Sequence, residues 1–320
     1  MSLLTPAART EKLSRIALWV GLGLLVIAPF VGLYPIFMMK ALCYAIFACA
    51  FNLLLGYTGL LSFGHAAYLG LAAYTTGWLV RSAGWSPELG VLAGTVLAAL
   101  CGLAIGLIAI RRQGIYFAMV TLAMAQMVYF VFLQAPFTGG EDGLQGVPRG
   151  KLLGLLPLDN DITLYFVVLA VFVAVFLFII RIVQSPYGQV LKAIRENEPR
   201  AVSLGYDVDR YKLLAFVLST AIAGLAGSLK TMVLGFVTLT DAHWSLSGEV
   251  VLMTLLGGMG TFAGPVVGAF TIIGLQNFLA DQVGAWINVI IGVTFVICVV
   301  AFRRGFVGEF KAWLLRRFKV

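Results

Sequence analysis

Charge is what this sequence has least of: 22 Lys and Arg and 14 Asp and Glu serve 320 residues, and only two residues are histidine. With 61% hydrophobic residues and a mean hydropathy of +1.00, so few charges cannot cover the surface of a water-soluble globule. Carboxylates are missing where a proton-driven carrier needs them. Glu88, Asp161, Glu249 and Asp281 all fall at the ends of apolar segments, and none lies deep inside one. Cysteine is sparse too. Cys43, Cys49, Cys101 and Cys298 sit in apolar runs without CxxC spacing, which argues against a disulfide framework or a thiolate metal site.

Motifs for chemistry are also lacking. The nearest approach to a nucleotide-binding loop, Gly146-Val-Pro-Arg-Gly150-Lys151-Leu152, is one residue short and lacks the Ser or Thr that would hold magnesium. Gly258-Met-Gly260-Thr-Phe-Ala-Gly264 misses the dinucleotide pattern by one residue and lies in an apolar region. No Gly-x-Ser-x-Gly elbow or His-Glu-x-x-His occurs, and the two histidines are far apart, so neither hydrolysis nor a metal site is expected. The chain reads as a non-enzyme with no cofactor of its own. If it moves a solute uphill, the energy must come from another subunit.

What the sequence does have is long apolar runs. They are continuous and do not alternate, which favours helices over a β-barrel. Runs long enough to span a bilayer occur at 16–37, 41–57, 64–80, 88–110, 114–134, 161–181, 211–230 and 285–302, with a glycine-broken apolar region at 247–280. Placing the N-terminus in the cytoplasm puts Arg9, Lys12, Arg15, Arg111 and Arg112 inside. The basic residues of 181–212 and of 303–319 then fall inside as well, so seventeen of the 22 Lys and Arg are cytoplasmic. Lys40, Arg81, Arg149, Lys151 and Lys230 remain outside. Bringing the basic tail back inside requires two short crossings, near 247–260 and 264–280. The expected fold is therefore an all-α polytopic membrane protein of about ten segments, two of its regions glycine-broken, with both termini cytoplasmic.

The whole of 1–320 reads as one transmembrane domain. It has a cytoplasmic N-terminus at 1–15, a periplasmic loop at 135–160, a cytoplasmic loop at 182–210 and a basic cytoplasmic tail at 303–320. The net charge of +8 collects on the cytoplasmic face, where anionic lipid favours it, and calls for no nucleic acid.

Two segments share a pattern: Asn52 to Tyr74, NLLLGYTGLLSFGHAAYLGLAAY, and Met253 to Leu275, MTLLGGMGTFAGPVVGAFTIIGL. Paired glycine interruptions mark unwound helices near the midplane whose free backbone groups face a polar solute. On that reading Asn52, Gly56, Tyr57, Gly59, Ser62, His65, Gly257, Gly258 and Gly260 line a pathway. The alternative is close helix packing, which is all that Gly102-x-x-x-Gly106 and Gly264-x-x-x-Gly268 require. His65 either bonds a backbone carbonyl freed by the break or meets the solute.

The longest polar interval is Ser185 to Arg210, SPYGQVLKAIRENEPRAVSLGYDVDR. Pro186 and Pro199 bracket a short amphipathic helix over 187–198 with Val190, Leu191 and Ile194 on one face, and Gly205 reads as a later helix stop. Its mixed charges suit a protein partner better than a lipid surface, the competing reading.

The order FNLLLGYTGLLSFGHAAYLGLAAY, GIYFAMVTLAMAQM, TGGEDGL and SPYGQVLKAIRENEPRAVSLGYDVDRYKLLAFVLSTAIAGLAGSL resembles the inner-membrane permeases of branched-chain amino acid ABC importers. Within that family it is closer to the LivM type than to its LivH partner. The resemblance covers about 51–270. It implies a bacterial inner-membrane importer with a second, LivH-like permease, two ATPase subunits that use ATP and Mg, and a periplasmic binding protein. It also implies that the polar interval is the coupling loop, with Arg195, Glu196, Glu198, Ala201 and Gly205 on the motif that docks on the ATPase. Thr138 to Gly143 falls on an external-loop motif, where Glu141 and Asp142 either help to receive the binding protein or belong to a structural turn. Relatives carry urea, short amides and other amino acids as well as Leu, Ile and Val, so the solute stays open.

Overall fold

The structure is a computed structural model, and it describes residues 21–286 apart from 33, 153 and 155, together with 289, 290, 292, 293, 296 and 305–309. The main helices among the described residues are α1 (Gly21–Phe30), α2 (Pro35–Thr58), α3 (His65–Arg81), α4 (Pro87–Ala109), α5 (Ile115–Gln134), α6 (Asp161–Gln184), α7 (Pro186–Glu196), α8 (Glu198–Ser203), α9 (Val208–Leu234), α10 (Trp244–Gly257) and α11 (Gly264–Val283). Among the described residues the only sheet is a two-residue pairing of β1 (Lys151–Leu152) with antiparallel β2 (Leu156–Pro157), inside the predicted 135–160 loop.

α2, α4, α5, α6 and α9 are each long and apolar enough to cross a membrane; α1, α10 and α11 are shorter apolar helices. Five such helices, against about ten expected segments, are what the described residues carry. The predicted span 285–302 falls largely outside them, as do residues 1–15 and the tail beyond 309. The predicted first span, 16–37, is corrected. Gly32 turns the chain at φ +89° and Pro35 opens α2, so 35–37 belong to the second helix.

α2 is apolar all round and sits at the centre, with every residue from Ala41 to Leu54 buried. α9 packs on α3 and α4 through small residues: a Cβ on Gly227 would strike the Leu69 carbonyl of α3, and one on Gly224 would strike Ala98 of α4. α4 shows how the sequence divides a lipid-facing helix. Gly90, Gly94, Ala98, Gly102 and Gly106 form a buried small-residue face, and a Cβ on Gly102 or Gly106 would meet Thr220 or Leu213 of α9. Leu92, Val96, Leu100 and Leu107 point outward and are more than half exposed, which hydrocarbon accommodates and water would not.

The 247–280 region is two helices. Gly257 meets Gly264, Gly268 meets the Met253 carbonyl, and Gln276 bonds Glu249, a pairing that makes α10 and α11 antiparallel. Neither glycine break lies within a helix. Residues 59–64 join α2 to α3 and 258–263 join α10 to α11. α2 spans 24 residues, about 36 Å at 1.5 Å per residue, before Gly59 ends it at φ +80°.

Candidate coupling site

The predicted polar interval folds as two helices and two turns. Ser185 caps α7, accepting from the Gly188 amide at 3.4 Å, and Pro186 occupies the first turn, where its missing N–H costs nothing. Leu191 and Ile194 are buried and Val190 packs beside them, as the sequence pattern predicts. The helix stops earlier than expected, at Glu196, because Asn197 is extended (φ −158°) and caps α8 instead, accepting from the Arg200 amide at 3.1 Å. Gly205, at φ +86°, then ends α8, its amide bonding the Val202 carbonyl at 2.9 Å. Asp207 caps α9. Tyr187 stacks on Tyr211 and donates to the Tyr211 carbonyl at 2.9 Å; burial raises its phenol pKa.

The five predicted coupling residues separate into different jobs. Ala201 is buried with Ile194 and Val208 and forms the core of the loop. Glu198 points back into the protein: its Oε1 meets Lys212 Nζ at 2.6 Å and accepts from Gln113 Nε2 at 2.9 Å, fastening α8 to α9 and to the α4–α5 connection. Lys212 is buried despite its charge. Glu196 and Gly205 are exposed. Beside them stand three large apolar residues not singled out from the sequence: Val202 (57% exposed), Leu204 (68%) and Tyr206 (41%). Their signal was present as apolar letters inside a polar stretch.

Arg195 runs inward. Its guanidinium donates to the Gly56 carbonyl, its Cγ lies 3.2 Å from where a Cβ on Gly59 would sit, and its Nη1 lies 3.2 Å from the same point on Gly260. Both glycine breaks therefore meet under α7, around a cleft of about 380 Å³ lined by Gly56, Tyr57, Lys192, Arg195, Glu196 and Gly260. Asn52, buried in α2, locks the second break to the first: its Oδ1 accepts from the Gly260 amide at 2.9 Å and its Nδ2 donates to the Thr261 carbonyl at 3.0 Å.

The other predicted pathway residues are distributed differently. Gly257 packs against Gly264, and its C-terminal neighbour Gly258 holds φ +121°. Tyr57 is buried, stacked at 6.0 Å on Phe262. Ser62 is buried and accepts from the Gly64 amide at 3.3 Å. His65 is fully buried at the start of α3, ringed by Phe51, Tyr68 and Phe216. Its Nε2 lies 2.8 Å from Ser219 Oγ, which itself donates to the Ala50 carbonyl at 2.5 Å. Since the serine proton is committed to Ala50, Nε2 carries the histidine proton. Neither partner is a carbonyl freed by the break: Ser219 lies on α9 and Ala50 inside α2.

Glu141 and Asp142 lie at the opposite end of the bundle, exposed on a turn that Gly139 (φ +77°) opens. Gly143 follows, pressed against the Val237 carbonyl, and Leu144 pairs with Val237.

Residues 34–299 match the family described as branched-chain amino acid transport system / permease component. The chain is 30% identical over 261 residues to the high-affinity branched-chain amino acid transport system permease protein LivM of Escherichia coli, and 32% identical over 264 residues to that of Salmonella typhimurium. Each alignment covers 74% of this chain and 61% of the relative, so the match spans about three-fifths of those proteins. The autoinducer 2 import system permease protein LsrC of Salmonella choleraesuis is 26% identical over 230 residues, covering 68% of this chain and 63% of that protein. With most of its length matched, the chain belongs to the family of branched-chain amino acid transport system permease components.

Proposed function

We propose that this chain is a multi-pass permease subunit of an ATP-driven importer in the bacterial inner membrane. It forms part of the translocation pathway for amino acids, with leucine, isoleucine and valine as first substrates. The α7–α8 end faces the cytoplasm, where basic residues concentrate, and the turn carrying Glu141 and Asp142 faces the periplasm and a substrate-binding protein. A second, LivH-like permease completes the pathway. Two ABC ATPase subunits supply the energy, with ATP and Mg bound in those subunits.

The observation that carries this reading is Arg195. It joins an exposed helix pair to the two glycine breaks, so a load applied to α7–α8 reaches the inner mouth of the pathway without crossing a flexible linker. Val202, Leu204 and Tyr206 offer the apolar contact that a docking ATPase would desolvate, and the polar residues around them form a rim. The test is co-purification of the ATPases with the permease pair, and leucine uptake in proteoliposomes containing the binding protein and ATP. Leu204→Glu should abolish both association and uptake. Uptake by this chain with no ATPase present would make it a self-sufficient channel or carrier and overturn the proposal.

The similarity to autoinducer 2 permeases supports a second reading, in which the same ATP-driven machinery carries a polar solute other than a branched-chain amino acid; urea, a short amide or another amino acid are the candidates that the family resemblance adds. Uptake assays with the matching binding protein separate the two.

A further inference from the structure

The end of the bundle away from α7–α8 holds a mixed cluster of charge. Lys230 of α9 and Asp241, in the turn before α10, are both buried and form an ion pair. Asp241 Oδ2 also accepts from the Thr238 amide at 3.3 Å, and the Lys230 ammonium stands 5.7 Å from the centre of the Tyr44 ring. These two charges satisfy each other. Two more do not. Lys40 of α2 is within electrostatic reach of Glu249, Asp241 and Lys230, yet neither Lys40 nor Glu249 has an oppositely charged partner within 4.0 Å among the described residues. Glu249 Oε2 accepts from Gln276 Nε2 of α11 at 3.2 Å, which holds the carboxylate on the α11 side.

The two groups lie toward the same end of the bundle. Lys40 lies five residues beyond Pro35, the first residue of α2, and Glu249 five beyond Trp244, the first of α10. At 1.5 Å per residue each is about 7.5 Å inside its helix, and both helices begin at the same end. Both side chains are only partly buried. A free ammonium and a free carboxylate at that depth in an apolar bundle are costly unless something neutralises both. A simple anion would satisfy Lys40 alone, and a simple cation Glu249 alone. A molecule carrying an ammonium and a carboxylate satisfies the two together.

We propose that Lys40 and Glu249 form a receiving site for a zwitterion at the outer end of the bundle. Lys40 takes the carboxylate of the solute and Glu249 its ammonium group, and the Lys230–Asp241 pair behind them keeps either charge from collapsing onto a fixed partner. The inference rests on the importer reading for its solute, an α-amino acid; a zwitterionic lipid headgroup shares the same chemistry.

Two measurements on the purified permease–ATPase complex test it. The first is thermal stabilisation by leucine, by leucinamide, which lacks the carboxylate, and by 4-methylpentanoate, which lacks the ammonium. Leucine alone is expected to raise the melting temperature, and Lys40→Met or Glu249→Gln should remove the effect; no shift from leucine, or equal shifts from all three, overturns the site. The second is ATP-driven leucine uptake, with the binding protein supplied, in liposomes of phosphatidylglycerol and cardiolipin, which have no zwitterionic headgroup. Lys40→Met and Glu249→Gln are expected to lower uptake about tenfold or more, while Lys40→Arg and Glu249→Asp retain most of it. Unimpaired uptake in Met and Gln variants overturns the inference, and so does equal loss in all four variants, which would indicate packing. A wild-type-to-variant difference seen only in liposomes containing phosphatidylethanolamine would assign the site to lipid and overturn it too. If the wild-type complex imports no leucine, the importer reading fails for that solute, and the thermal measurement still decides the site.

Discussion

Arg195 on α7 donates to the carbonyl oxygen of Gly56 on α2, so an exposed helix is tied to the buried centre of the bundle. Gly56 is among the last four residues of α2, whose carbonyls have no partner within the helix. A cation there also complements the negative end of the helix dipole. A hydrogen bond from a charged donor is worth about 1.5–3 kcal/mol. Arg195→Ala should therefore lower ATP-driven uptake about tenfold or more while leaving ATPase co-purification close to wild type, because the apolar contact at Leu204 is untouched. Arg195→Lys keeps the charge but not the reach of the guanidinium and should fall between. Equal loss of association and uptake in Arg195→Ala would show that the residue only shapes the docking surface.

The sequence made the membrane class, the helical architecture and the α7–α8 interval legible, because continuous apolar runs and one long polar insertion are local signals. The helix over Pro186–Glu196 was readable from the spacing of Val190, Leu191 and Ile194. Arg195 and Glu198 were singled out on the strength of a family resemblance, but their inward partners were not visible. Gly56 and Lys212 are brought to them by the packing of α2 and α9, and no spacing rule encodes that. The glycine breaks were found at the right residues, where α2 joins α3 and α10 joins α11. Where a break falls along a span depends on where the helix starts, and Gly32 and Pro35 set that start.

Glu198 and Lys212 should behave as one unit. Lys212 is buried, and its ammonium lies 2.6 Å from Glu198 Oε1. Removing one partner of a buried pair costs about 3–5 kcal/mol, because the other charge is left uncompensated; Glu198 is partly open to solvent, so the lower end applies. Glu198→Ala is expected to lower the melting temperature of the purified complex, and Lys212→Met added to it should recover much of the loss. Thermal unfolding of both single variants and the double variant gives the coupling directly, and simple additivity would contradict the pairing.

Asn52 is the lock between the two glycine breaks. Its amide group accepts from Gly260 and donates to Thr261, at 2.9 and 3.0 Å. Asn52→Leu keeps the volume but strands one backbone donor and one acceptor, at about 1–3 kcal/mol each. Asn52→Asp retains the acceptor for Gly260 and turns an anion toward the Thr261 carbonyl. Both variants should loosen the 258–263 connection, seen as faster amide hydrogen exchange there and not in the 135–160 loop. Unchanged exchange in both would show that the connection is held by its own glycine turns.

The pairing of α10 with α11 gives the last prediction. A Cβ on Gly257 would overlap the Gly264 carbonyl oxygen, and one on Gly268 would overlap the Met253 carbonyl oxygen. Backbone atoms cannot move aside as a flexible side chain can, so Gly257→Ala or Gly268→Ala must push the two helices apart. Gly248, also on α10, has nothing within 4 Å of its Cβ position and serves as the control. Alanine there removes a helix-interior glycine and should be neutral or stabilising by up to about 1 kcal/mol. The expected ranking of folded yield after detergent extraction is Gly248→Ala at or above wild type, with Gly257→Ala and Gly268→Ala well below it. Normal yield and uptake for Gly268→Ala would mean that α10 and α11 do not touch backbone to backbone. In that case Gly257 would return to the solute-facing role that its sequence pattern first suggested.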